Sequence, residues 1–328
     1  MKILLVTVKN SQFTEQMLTA FRDLGHEVLL LNDRSFFIFS GINTENKFIW
    51  KITRKIKFLR RWGKYNFEKT LLSTCNKFKP DTLFVVKGMI IKGETIRQVS
   101  KMGIKTVNWF LDSAVGSIYK QWIKNNHFYY DHFFSFESIA GEFKKQGHNI
   151  GFLPVAAELM DAKKDPKFGC DVCFVGAPYP ERVKILQSIS DFGLKIYGWK
   201  GWEKTVLANQ YYGPLTGKEF ANLYKTAKIC ININLEPPCP GVNLKTFEIP
   251  AVGGFQLSDF REGIAELFEP GKEIEIFRNV SELREKVKYY LDNEQKRLKI
   301  AEAGRKRQAE CHTMKTRLAD ALKVINSN

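Results

Sequence analysis

The sequence predicts an α/β protein made of two Rossmann-like parallel-sheet domains. Three observations carry this. Apolar runs of strand length alternate with amphipathic helical stretches from residue 2 onward, the pattern of β-α-β units whose strands run parallel. The chain has 328 residues, enough for a sizeable core and more in keeping with two domains than one. Near its middle the stretch 151–167 mixes Pro154 and Pro166 with charge and reads as an exposed hinge. The expected domains are 1–157 and 158–300, with a C-terminal helical segment at 301–328.

Residues 2–8, K-I-L-L-V-T-V, read as a first buried strand. Met17, Leu18 and Phe21 make a helical stripe within Thr14 to Leu24; Gly25 ends that helix, and H-E-V-L-L-L-N is the next strand. The intervening turn, V-K-N-S-Q-F, lacks G-x-G-x-x-G, which argues against an NAD enzyme. From Phe36 to Arg61 the chain is aromatic and basic, with W-K-I-T-R-K-I-K-F-L-R-R-W at its end. Two readings stay open there: an amphipathic helix on an anionic membrane or acceptor, or a helix packed on the sheet through Ile52, Ile56 and Leu59.

T-L-F-V-V-K-G is a strand ending at Lys87-Gly88, and Glu94 to Met102 a helix closed by Gly103. I-K-T-V-N-W-F-L-D-S is a strand ending at Asp112; Y-D-H-F-F-S-F-E-S is another, and Ile139 to Gln146 a helix. Ligands of open α/β sheets sit beyond the carboxyl ends of the strands. That places Lys87, Gly88, Asp112 and Glu137 at the mouth of a binding cleft. Asp112 either orients or deprotonates an acceptor hydroxyl or N-caps the segment from Ser113.

In the second half D-V-C-F-V-G is a strand ending at Gly176, and a two-proline turn leads into a helix carrying Arg182. L-K-I-Y is a strand followed by an aromatic, glycine-rich turn. There Tyr197, Trp199 and Trp202 serve either to stack a base or to pack the core. Y-Y-G-P-L, a helix around Phe220 to Tyr224, and a buried strand from Ile229 to Leu235 come next. After the turn E-P-P-C-P-G, Asn243 is placed to N-cap a helix from Leu244. Leu244, Phe247 and Ala251 form its inward stripe, Lys245 and Glu248 share another face, and Gly253-Gly254 ends it before the strand F-Q-L-S.

A helix N-terminus beside a lysine, with a carboxylate one turn on, suits a nucleoside diphosphate. The dipole and free N–H groups attract phosphate, the lysine is a point charge, and the carboxylate accepts from both ribose hydroxyls. Spacing alone favours a solvated Lys/Glu pair, and local sequence alone favours a surface first-turn residue for Arg182. Asn279 with Glu282 makes a further N-cap, and a long basic helix from Glu294 closes the chain.

Apolar content of 44% and charged content of 26% are those of an ordinary globular protein. No apolar run approaches the ~18 residues of a membrane span, and the start is too short for a signal peptide. A cytoplasmic protein is expected, with peripheral contact at the inner membrane face as an extension. The net charge of +16 points to an anionic partner. No nucleic-acid-binding module is recognisable, so nucleic acid is not expected. The six cysteines show no disulfide spacing. Cys170-x-x-Cys173 lacks the second pair a zinc site needs.

The segment K-T-F-E-I-P-A-V-G-G-F-Q-L-S-D resembles the sugar-donor segment of GT-B glycosyltransferases. It is most similar to the spore maturation protein CgeB-like group, related to the family 4 enzymes (glycosyl transferases group 1). That group's pattern is R/K-T-F-E, a small residue, G-G/A-F and a strand ending in Thr/Ser-Asp. The likeness runs on through E-L-F-E-P-G-K-E-I-E-I-F and Y-Y-L-D-N to H-T-M-K-T-R-L. It extends more loosely to the K-G and W-F-x-D strand ends of the first half.

The resemblance implies a GT-B fold, with two domains facing a central cleft and a last helix, Glu302 to Leu322, crossing back to the first domain. It implies a sugar-donor site of Glu248, Lys245, Thr246, Asn243 and Gly241. Arg182 and Gly176 of F-V-G-x(n)-R would lie near the phosphates, and Pro214 and Leu215 near the nucleobase. Asp112 would be the catalytic carboxylate, with Lys87, Gly88 and Glu137 on the acceptor side. Two positions depart from the pattern. Ser113 stands where the group often has a second Asp, and Pro240 where family 4 enzymes have the first Glu of Glu-x7-Glu. The donor sugar is therefore not specified. With no D-x-D, neither an obligatory metal nor a cofactor is expected, and Lys245, Arg182 and helix N–H groups would meet the phosphate charge.

The activity expected is transfer of a sugar from a UDP- or GDP-type donor to a glycan, lipid-linked sugar or protein. A nucleotide-sugar epimerase of the same fold and a non-catalytic nucleotide-sugar or anionic-glycan binder are the alternatives.

Overall fold

Ile3, Leu4, Leu5 and Val6 are all buried, and a strand apolar on both faces belongs inside a parallel sheet covered by helices. The computed structural model bears this out; it describes residues 1–33, 57–112, 118–136, 147, 149–215, 217–234 and 241–327. The chain divides into one unit of Met1–Pro154 with Arg317–Asn328 and a second of Val155–Thr316.

In the first unit β1 (Lys2–Thr7) pairs in parallel with β2 (Glu27–Asn32) and β3 (Thr82–Val86). β4 (Lys105–Phe110), β5 (His132–Ser135) and β6 (Gly151–Phe152) extend the parallel sheet in the order β2-β1-β3-β4-β5-β6. Its helices are α1 (Gln12–Asp23), α2 (Lys57–Phe78), α3 (Gly93–Lys101) and α4 (Ile118–Asn126). Ser11 caps α1 by accepting from the Thr14 amide at 3.1 Å. Phe67 and Leu71 of α2 join Leu4, Leu83, Ile96 and Phe110 in one core.

Helix α2 runs far beyond the basic stretch, and α4 has no counterpart among the expected elements. The expectations for residues 36–56 and for a helix at 139–146 lie outside the described residues.

In the second unit β7 (Val172–Val175), β8 (Leu194–Tyr197), β9 (Ile229–Asn232), β10 (Gln256–Asp259) and β11 (Glu275–Phe277) form a parallel sheet ordered β11-β10-β9-β7-β8. Alternation along β7 sends Val172 and Phe174 into one apolar layer and Cys173 and Val175 into the other. The helices are α5 (Pro180–Gln187), α6 (Lys218–Thr226), α7 (Lys245–Ala251), α8 (Val280–Asp292) and α9 (Glu294–Cys311); α10 (Met314–Asn326) follows, and from Arg317 onward it belongs to the first unit. At the start of α8 the Glu282 amide donates to Asn279 Oδ1 at 2.9 Å.

Three expectations are corrected. The supposed exposed hinge is buried at Leu153, Val155, Ala156 and Ala157. Its backbone is bonded within each unit: the Leu153 carbonyl accepts from Trp109 Nε1, and the Ala157 carbonyl from Gln308 Nε2. The basic helix from Glu294 is two helices. His312 leaves helical geometry and its ring bonds the Leu267 carbonyl, while Thr313 Oγ1 accepts from the Thr316 amide as a new cap. Leu244 does not join the inward stripe of α7: it is exposed, while Phe247 and Ala251 are fully buried.

Candidate functional site

The strand I-C-I-N and the following I-N carry two asparagines into an apolar interior, and both Asn232 and Asn234 are buried. A buried amide must be bonded, since an unpaired one costs about 1–3 kcal/mol. Here the partners are the segments that flank the candidate site. Asn232 Nδ2 donates to Thr246 Oγ1 at 3.1 Å, and its Oδ1 accepts from Asn243 Nδ2 at 2.8 Å. Asn234 Oδ1 accepts from the Asn243 amide at 2.8 Å, and its Nδ2 donates to Asp259 at 2.7 Å. Arg261 closes the chain of bonds with two contacts to Asp259 Oδ2 at 2.7 and 3.1 Å.

This network ties the start of α7 to the carboxyl ends of β9 and β10. Asn243 Oδ1 accepts from the Thr246 amide at 3.3 Å, so it caps the helix, which begins one residue later than its sequence suggests. Thr246 is fully buried and its hydroxyl braces Asn232, so that side chain is an internal strut. Gly241 is buried beside the same turn.

The anchored helix presents Lys245 and Glu248. Both are surrounded by protein on nearly all sides yet keep part of their surface open. Neither makes an ion pair or hydrogen bond among the described residues. Burial holds the Glu248 carboxyl above its usual range, with the Lys245 charge opposing. Burial likewise depresses the Lys245 ammonium; Glu248 opposes this and the Arg182 charge adds to it. Lys245, Glu248 and Arg182 are therefore electrostatic neighbours. Tyr224 shares the surroundings: burial, then the Glu248 charge, push its phenol well above the usual range.

Arg182 is not a solvated first-turn residue. It is buried, donates to the Ile233 carbonyl at 2.8 Å, and lies over the rings of Tyr179 and Phe174 at 5.1 and 5.5 Å. With Tyr179, Glu181, Asn234, Asp259 and Arg261 it lines a cavity of about 50 Å³ at the carboxyl ends of β9 and β10.

Gly176 ends β7 against this arginine: a Cβ there would stand 3.1 Å from Arg182 Nη1. On its other side Gly198, at φ +117°, leaves room for the Gly176 backbone, which a Cβ would approach to 3.0 Å. Of the three aromatics at the end of β8 and after it, Tyr197 and Trp202 are buried and Trp199 is exposed. Pro214 is exposed, and Leu215 packs on the layer that includes Ile249 of α7.

In the first unit Lys87, Gly88 and Asp112 do meet. Lys87 Nζ lies 2.9 and 2.8 Å from the two Asp112 oxygens. Gly88 has φ +71° and little space: a Cβ would reach Val85 Cγ1 at 2.6 Å and the Tyr130 hydroxyl at 3.0 Å. Glu137 lies outside the described residues.

Sequence reasoning missed Asn232, Asn234, Asp259 and Arg261 as site-building residues. The signal was present in I-N-I-N, two amides in an otherwise apolar run. Among the described residues no group of three or more His, Cys, Asp or Glu side chains could hold a metal ion, and no helix is long and apolar enough to cross a membrane.

A family model described as glycosyl transferase-like matches residues 181–323, which include Arg182, Lys245 and Glu248. No curated protein matches the chain by sequence. Solved structures match over its whole length. Sucrose-phosphate synthase from Thermosynechococcus elongatus has a TM-score of 0.67 at 10% identity, covering 99% of both chains. A glycosyltransferase from Rickettsia africae has a TM-score of 0.69 at 12% identity, covering 99% of this chain and 98% of its own. HepE from Anabaena, in complex with UDP and glucose, has a TM-score of 0.68 at 10% identity, covering 100% of both. The fold is that of the GT-B glycosyltransferases.

Proposed function

We propose that the chain transfers a sugar from a nucleoside diphosphate-sugar to an acceptor hydroxyl, with the sugar donor held by Lys245, Glu248 and Arg182. The observation that carries this is the enclosed Lys245 and Glu248, unpaired among the described residues, beside a buried arginine. Two cations and one acceptor-only carboxylate match a ribose diphosphate: phosphate charge against the cations, ribose hydroxyls against Glu248. The glycosyl transferase-like match spans all three residues. The similarly folded HepE is found with UDP and with UDP-glucose, which makes uridine nucleotides the first to try, then guanosine nucleotides.

In this reading Gly176, Gly241, Asn243 and Thr246 shape the donor site, and Pro214 and Leu215 border the base. The bond from the sugar to the diphosphate breaks, and the new bond forms to the acceptor oxygen. Negative charge grows on the leaving phosphate, where Lys245 and Arg182 neutralise it without a metal. Asp112 takes the acceptor proton, held in place by Lys87. The likeness to the CgeB-like group rests on K-T-F-E, G-G-F and S-D. A glycan or lipid-linked acceptor, and a cytoplasmic protein touching the inner membrane face, complete the reading.

The test is a thermal-shift panel of UDP, GDP and their sugars, followed by release of nucleoside diphosphate with and without glycan acceptors. Stabilisation of the wild type that Lys245→Ala and Glu248→Ala abolish supports the site; equal stabilisation of all three moves it elsewhere. Interconversion of free nucleotide sugars would make the protein an epimerase, and binding without turnover a silent binder.

A further inference from the structure

Away from the site described, three cations converge in the second unit. Lys225 of α6 and Arg305 of α9 meet over Gly253, the residue two past the end of α7. A Cβ on Gly253 would stand 3.3 Å from Lys225 Nζ and 3.8 Å from Arg305 Nη1. Lys164 is the third: with Arg305, and after burial, its charge depresses the Lys225 ammonium.

The backbone that presents these residues is fixed. The Lys163 amide donates to Asn222 Oδ1 at 3.2 Å and the Asp165 amide to Thr226 Oγ1 at 2.9 Å, so residues 163–165 strap across α6 on either side of Lys225. Gly304 lets α9 dock closely, since a Cβ there would collide with the Glu273 carbonyl. Arg305 is the next residue. Lys225 and Arg305 are half-buried and Lys164 is exposed.

Neighbouring cations are neutralised: Lys167 by Glu219, Lys228 by Asp171, Arg307 by Glu273. Lys164, Lys225 and Arg305 make no ion pair among the described residues. Asp165, the nearest carboxylate in sequence, accepts from the Lys167 amide within its own turn. Nor do the cations cap α7, whose terminal carbonyls at Ile249 and Pro250 accept from Gly254 and Gly253. Like charges gathered without a counter-ion repel one another, and an anion among them removes that cost.

We propose that Lys164, Lys225 and Arg305 form an oxyanion site that binds a phosphate group, carried by free phosphate or by a lipid headgroup. The arginine offers a fork of donors and the lysines two point charges. The site is independent of the sugar-transfer reading.

Isothermal titration of the full chain with inorganic phosphate, at ionic strength held constant with chloride, tests the free-anion arm. Saturable binding is expected, weakened about tenfold or more by Lys225→Gln or Arg305→Gln and retained by Lys225→Arg. Lys164→Gln, on an exposed side chain, serves if those variants fail to fold. Because phosphate could also enter the sugar-donor site, Lys245→Gln is titrated alongside and is expected to keep this binding. In the second arm, co-sedimentation with phosphatidylcholine vesicles containing phosphatidic acid, lost in the same variants and absent without the acidic lipid, assigns the phosphate to a headgroup. Binding in neither arm, binding unchanged in folded Lys225→Gln and Arg305→Gln, or binding abolished only by Lys245→Gln overturns the proposal.

Discussion

The Asn243 amide donates to Oδ1 of Asn234 at 2.8 Å, joining a residue two before α7 to one two beyond β9. Through the same side chain Asn234 grips Asp259, which Arg261 clamps in turn. The position of Lys245 and Glu248 is thus set by amide bonds to the sheet rather than by helix propensity; a seven-residue helix with Pro250 inside it has little of its own.

Asn234→Ala leaves the Asn243 amide without its acceptor, and Asp259 Oδ1 keeps only the Asn234 backbone amide of its two Asn234 donors. A loss of about 1–3 kcal/mol in stability is expected, measured by urea unfolding. Weaker nucleotide binding should accompany it, because the helix that carries Lys245 loses its anchor.

Glu248→Gln separates function from stability. The wild-type carboxylate is enclosed and has no ion-pair partner among the described residues, and desolvating it costs free energy. The variant should melt at the same temperature as wild type or higher without ligand. Its affinity for the nucleotide should fall about tenfold to a hundredfold, as one or two charge-assisted hydrogen bonds go. A variant that binds like wild type would remove Glu248 from the site.

Affinity and stability should respond to pH in opposite ways. Burial raises the Glu248 pKa, and binding needs its carboxylate, so affinity falls as pH drops through a value above that of free glutamate. Burial lowers the Lys245 pKa, and binding needs its ammonium, so affinity also falls as pH rises through a value below that of free lysine. In the unliganded protein the signs reverse. Folded Glu248 holds its proton to higher pH than the unfolded chain does, so its contribution to stability declines across that window. Folded Lys245 releases its proton earlier, so stability recovers on the alkaline side. Melting curves with and without nucleotide across pH would show the two trends diverge.

Asp112→Asn keeps the shape of the strand end but removes its charge. Donor-induced stabilisation should persist unchanged while acceptor-dependent release of nucleoside diphosphate falls by roughly 10²-fold or more. Lost donor binding in this variant would count against a role confined to the acceptor.

The parallel strands were legible because β1, β3, β4, β7 and β9 are apolar on both faces, and a run such as Ile3 to Val6 has little other use. Helix α2 was harder. Its basic N-terminal end drew attention to charge, while Phe67, Leu71 and Cys75, which face the core, are spaced too sparsely to stand out. Short α4 sets Tyr119, Trp122 and Ile123 against the core, but nine residues hold too little of the helical period to stand out. Lys245 and Glu248 could be singled out only because K-T-F-E resembles a known pattern; their enclosure depends on neighbours far away in sequence. Arg182 shows the same limit. Nothing local says that its guanidinium reaches Ile233, 51 positions on. The break at His312 was written in the threonine that follows it, a cap inside an otherwise continuous basic helix.

The last stretch, Arg317–Asn328, belongs to the unit that begins at Met1, with Leu318 and Ile325 buried and the Ile325 carbonyl bound to Lys105 Nζ at 2.5 Å. During synthesis the opening unit must therefore wait, missing part of its apolar cover, until the ribosome has made everything between. Clipping a dozen residues from the far end should loosen the protein's beginning, exposing amides near β4 to hydrogen exchange while those of the later sheet stay protected.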